Sequence, residues 1–206
     1  MSRSVLVPAA RVPRWVANFG VRHGRTELSV IDGVLRAVGE DGERADLALP
    51  FDRKYEGAAD PAGFAAAMSP PDEWAVILAR KGGFAVARLA GDQVTASKVG
   101  GRHVQGRTKA GGQSQQRFAR RRDNQARQAY EAAADHAARL LGEAALMALV
   151  CGGDRRAVDE VLADDRLVGV REARCGTWLP VPDPRRAVLD QAILDAQSSV
   201  VTLFDH

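Results

Sequence analysis

Between residues 74 and 141 the hydrophobic pattern changes period once, and that change limits the folds open to the chain. Apolar runs at residues 74–79, 84–90 and about 93–98 are short and are joined by Lys81-Gly82-Gly83 and by Gly91-Asp92. Short runs separated by such turn signals predict an antiparallel meander. The last run ends in Gly100-Gly101. From about residue 114 to residue 141 the apolar positions Phe118, Ala126, Ala129, Tyr130, Ala133, Ala137, Leu140 and Leu141 recur largely at three and four residues. That spacing predicts one long helix with a single buried face. Downstream, residues 145–151 read as a buried central strand, 154–163 as a short helix capped by Asp154, and 168–173 as a strand. Asp183-Pro184 opens a final helix expected to turn Val188, Ile193 and Leu194 inward. Strands followed by alternating helix and strand give an α/β fold, a mixed β-sheet with flanking helices.

Ahead of this region the signals describe a smaller α+β extension. Residues 13–20 suit a short helix ending at Gly20. Residues 26–31, 34–38 and 45–49 read as strands, the last set off by the turn at 39–42, so a hairpin or small meander is expected. Asp60-Pro61 has the N-cap and first-position residues of a helix over 62–68. Ser69-Pro70-Pro71 then marks a boundary, which divides the chain into an N-terminal extension at 1–70 and a larger domain at 71–206.

Charge is distributed unevenly. The net charge is only +3, from 29 basic and 26 acidic residues. Residues 98–127 nevertheless hold nine Lys/Arg (Lys98, Arg102, Arg107, Lys109, Arg117, Arg120, Arg121, Arg122 and Arg127) against the single acid Asp123. A concentration of one sign is the electrostatic footprint of a partner with a phosphate backbone. In its middle stands Gly111-Gly112-Gln113, where two adjacent glycines let a main-chain N–H approach a substrate that a Cβ would keep away.

The longer string GGQSQQRFARRR resembles the GGQSAxRFxRxR signature of the middle domain of eukaryotic and archaeal class I release factors. The strand–turn–strand upstream of it agrees, so that the resemblance covers about residues 70 to 204. A chain of 206 residues has no room for the codon-reading and factor-binding domains of those proteins. It is similar instead to the Vms-like release factors, particularly their compact actinobacterial form. The resemblance implies an RNase-H-like catalytic domain and a ribosome-associated peptidyl-tRNA hydrolase. Such an enzyme releases nascent chains from stalled ribosomes or large subunits without a stop codon.

The implied reaction is water attack on the ester between a nascent peptide and the terminal ribose of tRNA. It needs a positioned water and a donor for the developing oxyanion. The N–H of Gln113, held by Gly111 and Gly112, suits the donor, and its side-chain amide suits orientation of the water. Glutamine has no useful pKa, so proton transfer falls to the tRNA ribose or the ribosome. Vms-like factors commonly space their glutamine as GxxQ, a pattern that Gly112 and Gln115 also satisfy. Gln113 is placed first because the residues after it match the release-factor spacing, and Gln115 is the alternative. Arg107, Lys109, Arg117 and Arg120 to Arg122, with Lys98 and Arg102, are the candidate contacts to rRNA and tRNA phosphates. The implied partners are the large subunit at its peptidyl transferase centre and the CCA end of peptidyl-tRNA. A second function class, a non-catalytic RNA-binding or ribosome-assembly module using the same basic loop, makes the same charge prediction without needing Gln113.

Other residues have structural readings. Cys151 and Cys175 have neither disulfide nor zinc spacing and read as reduced, packed thiols. His103 is either an RNA contact or a solvated side chain, and His23, His136 and His206 show no ligand spacing. Trp15, Trp74 and Trp178 read as core anchors. The distant acids Asp32, Asp46 and Asp52 do not suggest a two-metal nuclease, so no metal or cofactor is expected. No apolar run reaches a membrane span and the N-terminal run is interrupted by Arg11 and Arg14, so a cytoplasmic monomer with no membrane partner is expected.

Overall fold

The computed structural model describes residues 2–101 and 113–204, with side chains from Arg127 onward in the second stretch. The chain forms two compact units, one of Met1–Pro70 with Leu194–His206 and one of Pro71–Ile193.

The first unit contains β1 (Ser2–Val7), α1 (Val12–His23), β2 (Thr26–Ile31), β3 (Val34–Gly39), β4 (Arg44–Ala48), α2 (Pro61–Ala66) and β10 (Ser199–Phe204). Its sheet runs β1-β10-β4-β3-β2 with every pairing antiparallel. The β2–β3 turn is made by Asp32 and Gly33, both at positive φ (54° and 83°), which is what a two-residue hairpin of native twist requires. Alternation puts Leu35, Ala37, Ala45, Leu47 and Val201 on one face, where they pack with Val12, Val16 and Phe19 of α1 and Phe64 of α2. Asp60 caps α2 as its sequence predicts, accepting from the Gly63 N–H at 2.6 Å.

Two features of this unit differ from expectation. Helix α1 continues past Gly20 to His23, because an interior glycine costs only about 1 kcal/mol and the Phe19–His23 ring pair, 4.4 Å between centroids, binds the next turn. A strand that the sequence does not predict follows the final helix, and it is inserted between β1 and β4. Val201 opposite Leu47 completes the buried row, and the Ser199 hydroxyl donates to the Ala48 carbonyl at 2.8 Å.

The second unit contains β5 (Trp74–Arg80), β6 (Gly83–Ala90), β7 (Gln93–Gly101), α3 (Gln113–Leu141), β8 (Ala148–Gly153), α4 (Arg155–Leu162), α5 (Val168–Glu172), β9 (Arg174–Leu179) and α6 (Arg186–Ala196), which leads into β10. The sheet order is β7-β6-β5-β8-β9, and only β6 opposes the other strands. A meander continued by two parallel crossovers is the expected mixed α/β, RNase-H-like arrangement. On one face Ala75, Ile77, Leu149 and Cys151 meet Tyr130, Ala133, Ala137 and Leu141 of α3 and Val158 and Val161 of α4. Phe118 and Ala126, expected on the same helix face, lie outside the described side chains. Trp74 is fully buried and its indole N–H donates to the Gly91 carbonyl at 2.7 Å. Trp15 and Trp178 are only half-buried; Trp178 carries the Arg155 and Arg174 guanidinium groups over its ring.

Residues 168–173 are not a strand. Leu167 and Val170 are buried while Val168 is 41% exposed, a spacing of three that fits α5, and the strand follows it as β9. In α6 the buried positions are Leu189, Ala192, Ile193 and Ala196, and Leu194 is 61% exposed, so the inward face is offset from the one expected. Both cysteines are free, and burial pushes the Cys151 thiol up to about 12, which leaves it unreactive.

Candidate functional site

The two candidate glutamines stand at the beginning of α3. Gln113 is its first residue and Gln115 its third, and Arg117 and Arg120 to Arg122 continue the helix. Arg102, Arg107, Lys109, Gly111 and Gly112 lie outside the described residues, and so does His103. Helical periodicity separates the two candidate glutamines: positions 113, 117 and 120 share one face, whereas 115 and 122 share the opposite one. The first turn of a helix leaves its N–H groups without intrahelical acceptors and carries roughly half a positive charge, so this terminus suits an anion or a developing oxyanion.

The frame on either side of the segment is closely packed. At the open end of the β6–β7 ladder Gly83 pairs with Gly101 and Phe84 with Gly100. A Cβ on Gly100 would sit 2.4 Å from the Phe84 ring, and one on Gly83 would sit 2.6 Å from the Gly100 carbonyl oxygen. Only glycine permits the backbones to come this close. Phe84 is itself buried and stacks on His136 of α3 at 5.5 Å, while Arg139 donates to His136 Nδ1 at 2.8 Å. The end of β7 and the C-terminal half of α3 are thereby joined through one aromatic contact. Arg139 can only donate, so His136 Nδ1 accepts and the ring is neutral with its proton on Nε2. Burial holds the His136 pKa below its ordinary value, and the nearby Arg139 and Lys98 charges add to the effect against an opposing contribution from Asp135. Lys98 is exposed on β7 and is the one predicted phosphate contact whose side chain is described.

A cleft of about 420 Å³ between α3 and α4 is lined by Arg127, Tyr130, Glu131, Asp135, Glu160 and Asp164, with Arg166 beside them. Three of its four carboxylates are engaged, and Glu131 is exposed. Arg166 donates to Asp135 and to Asp164, each at 2.7 Å, and Arg156 to Glu160 at 3.2 Å. The Arg166 hydrogen bond holds Asp164 down to about 2. The Arg166 pairs fasten α3 to the segment after α4. Among the described residues no group of three or more His, Cys, Asp or Glu is placed to hold a metal ion, and no helix is long and apolar enough to cross a membrane. The sequence reading missed the glycine–Phe84–His136 joint, whose members are 16 and 36 residues apart and carry no local signal.

Residues 72–202 match the family model described as Actinobacteria/chloroflexi VLRF1 release factor. Comparison with the curated proteins finds no match. Among solved structures, the archaeal translation termination factor aRF1 is 13% identical with a TM-score of 0.45, the alignment covering 95% of this chain and 64% of that one. Pelota from Archaeoglobus fulgidus is 9% identical with a TM-score of 0.32, covering 94% and 62%. The chain thus spans 64% of the archaeal factor's length.

Proposed function

The chain belongs to the Actinobacteria/chloroflexi VLRF1 release factor family, and from that premise we propose that it is a peptidyl-tRNA hydrolase acting on stalled ribosomes or large subunits without a stop codon. The observation that carries this reading is the position of Gln113 as the first residue of a long, firmly anchored helix, directly after two glycines and in the turn before an arginine cluster.

The substrate is the ester at the CCA end of peptidyl-tRNA, presented at the peptidyl transferase centre. Water attacks the carbonyl carbon, negative charge develops on its oxygen, and the bond to the ribose oxygen breaks. The Gln113 N–H donates to the developing oxyanion, in keeping with the positive end of α3. The Gln113 side-chain amide orients the attacking water. The proton goes to the leaving ribose oxygen through groups of the tRNA or the ribosome, since an amide cannot accept it. Gln115, one alternate position along the helix, is the second candidate for the water-orienting role. Arg107, Lys109, Arg117 and Arg120 to Arg122, with Lys98 and Arg102 at the root of the segment, neutralise rRNA and tRNA phosphates and set the register of docking. The enzyme is complete only on its ribosomal substrate, in a cytoplasmic, ribosome-associated setting, and it works as a monomer.

The reading is tested with large subunits carrying labelled peptidyl-tRNA. Wild-type protein is expected to free the peptide. Replacing Arg120, Arg121 and Arg122 with Gln should weaken subunit binding and flatten its salt dependence by roughly 0.7–0.9 for each phosphate no longer neutralised. Stable binding by wild type with no peptide freed would overturn the hydrolase reading in favour of a non-catalytic binding module.

A further inference from the structure

We propose that the exposed face of α1 is a second RNA-contacting surface, which grips the phosphate backbone of structured RNA independently of the segment that carries Gln113. The inference rests on the ribosomal setting proposed above, but its observations lie in the other unit of the chain. Residues 1–26 contain Arg3, Arg11, Arg14, Arg22 and Arg25 and no Asp, Glu or Lys; the first acid is Glu27. Within α1, Val12, Val16 and Phe19 are buried and fix the inward face. Arg14, Asn18 and Arg22 recur in steps of four on the other side and are exposed, and Arg11 and Arg25 flank them, also exposed. The rise of a helix puts Arg14 and Arg22 about 12 Å apart along the axis.

The arginines of this stripe lack carboxylate partners, in contrast to many others. Arg36 is held by Asp46, Arg88 by Glu73, Arg166 by Asp164 and Arg174 by Asp159. Among the described residues no ion pair or side-chain hydrogen bond engages Arg11, Arg14 or Arg22, and of Arg25 only the main-chain N–H is held, donating to the Glu40 carboxylate at 3.4 Å. The stripe therefore presents a row of guanidinium forks whose geometry matches phosphate oxygens bidentately. An anionic membrane is the weaker match. An interfacial helix inserts an apolar face, and that of α1 is already spent on the unit's own core, which leaves Val21 as the one exposed large apolar residue of the helix.

The test uses the full chain and two probes, a labelled RNA duplex two helical turns long and vesicles of mixed phosphatidylglycerol and phosphatidylcholine. Binding is measured across a salt titration for wild type, R14Q/R22Q, R14K/R22K and R120Q/R121Q/R122Q, with thermal melts to verify folding. The expected result is roughly a tenfold or greater loss of duplex affinity in R14Q/R22Q at low salt, with a slope reduced by roughly 0.7–0.9 per arginine. R14K/R22K should keep the wild-type slope. The Gln substitutions at the two surfaces should add in log affinity when combined, as independent sites do. An unchanged slope in R14Q/R22Q, or a loss confined to vesicle binding, would overturn the proposal. Failure of peptide release with these slopes intact would defeat the hydrolase reading and leave this surface standing.

Discussion

Gly100 is the residue near the proposed site least able to accept a side chain. Its Cβ would meet the Phe84 ring at 2.4 Å, and Phe84 cannot swing away without breaking its stack on His136. Gly100→Ala is expected to cost about 1–3 kcal/mol, the usual range for overpacking, read as a lower urea midpoint at unchanged m-value. His136 makes a second, pH-dependent prediction. Its pKa is depressed in the fold, so the unfolded chain binds more protons as pH falls through the ordinary histidine value of about 6.5. The contribution of the neutral ring is therefore fully present above that value and is lost as pH falls from there through the depressed folded pKa. His136→Gln should flatten the stability profile over that window, and a profile as steep as wild type would refute the assignment. Gln113 could be singled out as a candidate in the sequence because its signal is local, a glycine pair and an arginine run within a dozen residues. Phe84, Gly100 and His136 were not, because their relation exists only once β6, β7 and α3 have been brought together.

At the scale of elements, α3 holds the proposed site in place through its C-terminal half. Leu141 is fully buried against the sheet. Leu141→Ala should cost about 2–5 kcal/mol in unfolding free energy, the range for a buried leucine truncated to leave a cavity. A loss under about 0.5 kcal/mol would mean that the helix is not anchored there. Asp154 caps α4 by accepting from the Arg156 N–H at 3.0 Å, and Asp154→Ala should cost roughly 0.5–2 kcal/mol by the same measurement. Long periodic elements and side-chain caps were readable in advance, as α3, Asp60 and Asp154 illustrate. Short ones were not: residues 168–173 carry too few apolar positions to distinguish a period of two from one of three, and only the burial of Leu167 and Val170 decides for a helix. The face of α6 was misjudged for a related reason, since Leu194 is as apolar as the neighbours that pack inward.

At the scale of the whole molecule, the C-terminal strand is what the sequence could not assign. β10 pairs with β1 and β4, whose residues lie some 150 to 200 positions away, and nothing in a short apolar run specifies so distant a partner. Deleting residues 199–206 should leave β1 without a partner strand and β4 with an open edge, and expose the buried row at Leu47. Amide hydrogen exchange in β3 and β4 is then expected to lose its protection, whereas retained protection would show that this sheet does not need β10. Among the described residues, Arg36, Arg88, Arg166 and Arg174 are held by carboxylates, whereas Arg14 and Arg22 of α1 are not. The central claim, that Gln113 directs water onto the peptidyl-tRNA ester, is tested most directly by single-turnover peptide release from stalled large subunits. Wild type is compared with Gln113→Ala and Gln115→Ala at saturating protein. Release by Gln113→Ala is expected to be at least roughly a hundredfold slower with subunit binding unchanged, the order of effect that follows when a reacting group is mispositioned. Release by Gln113→Ala at the wild-type rate would contradict that claim.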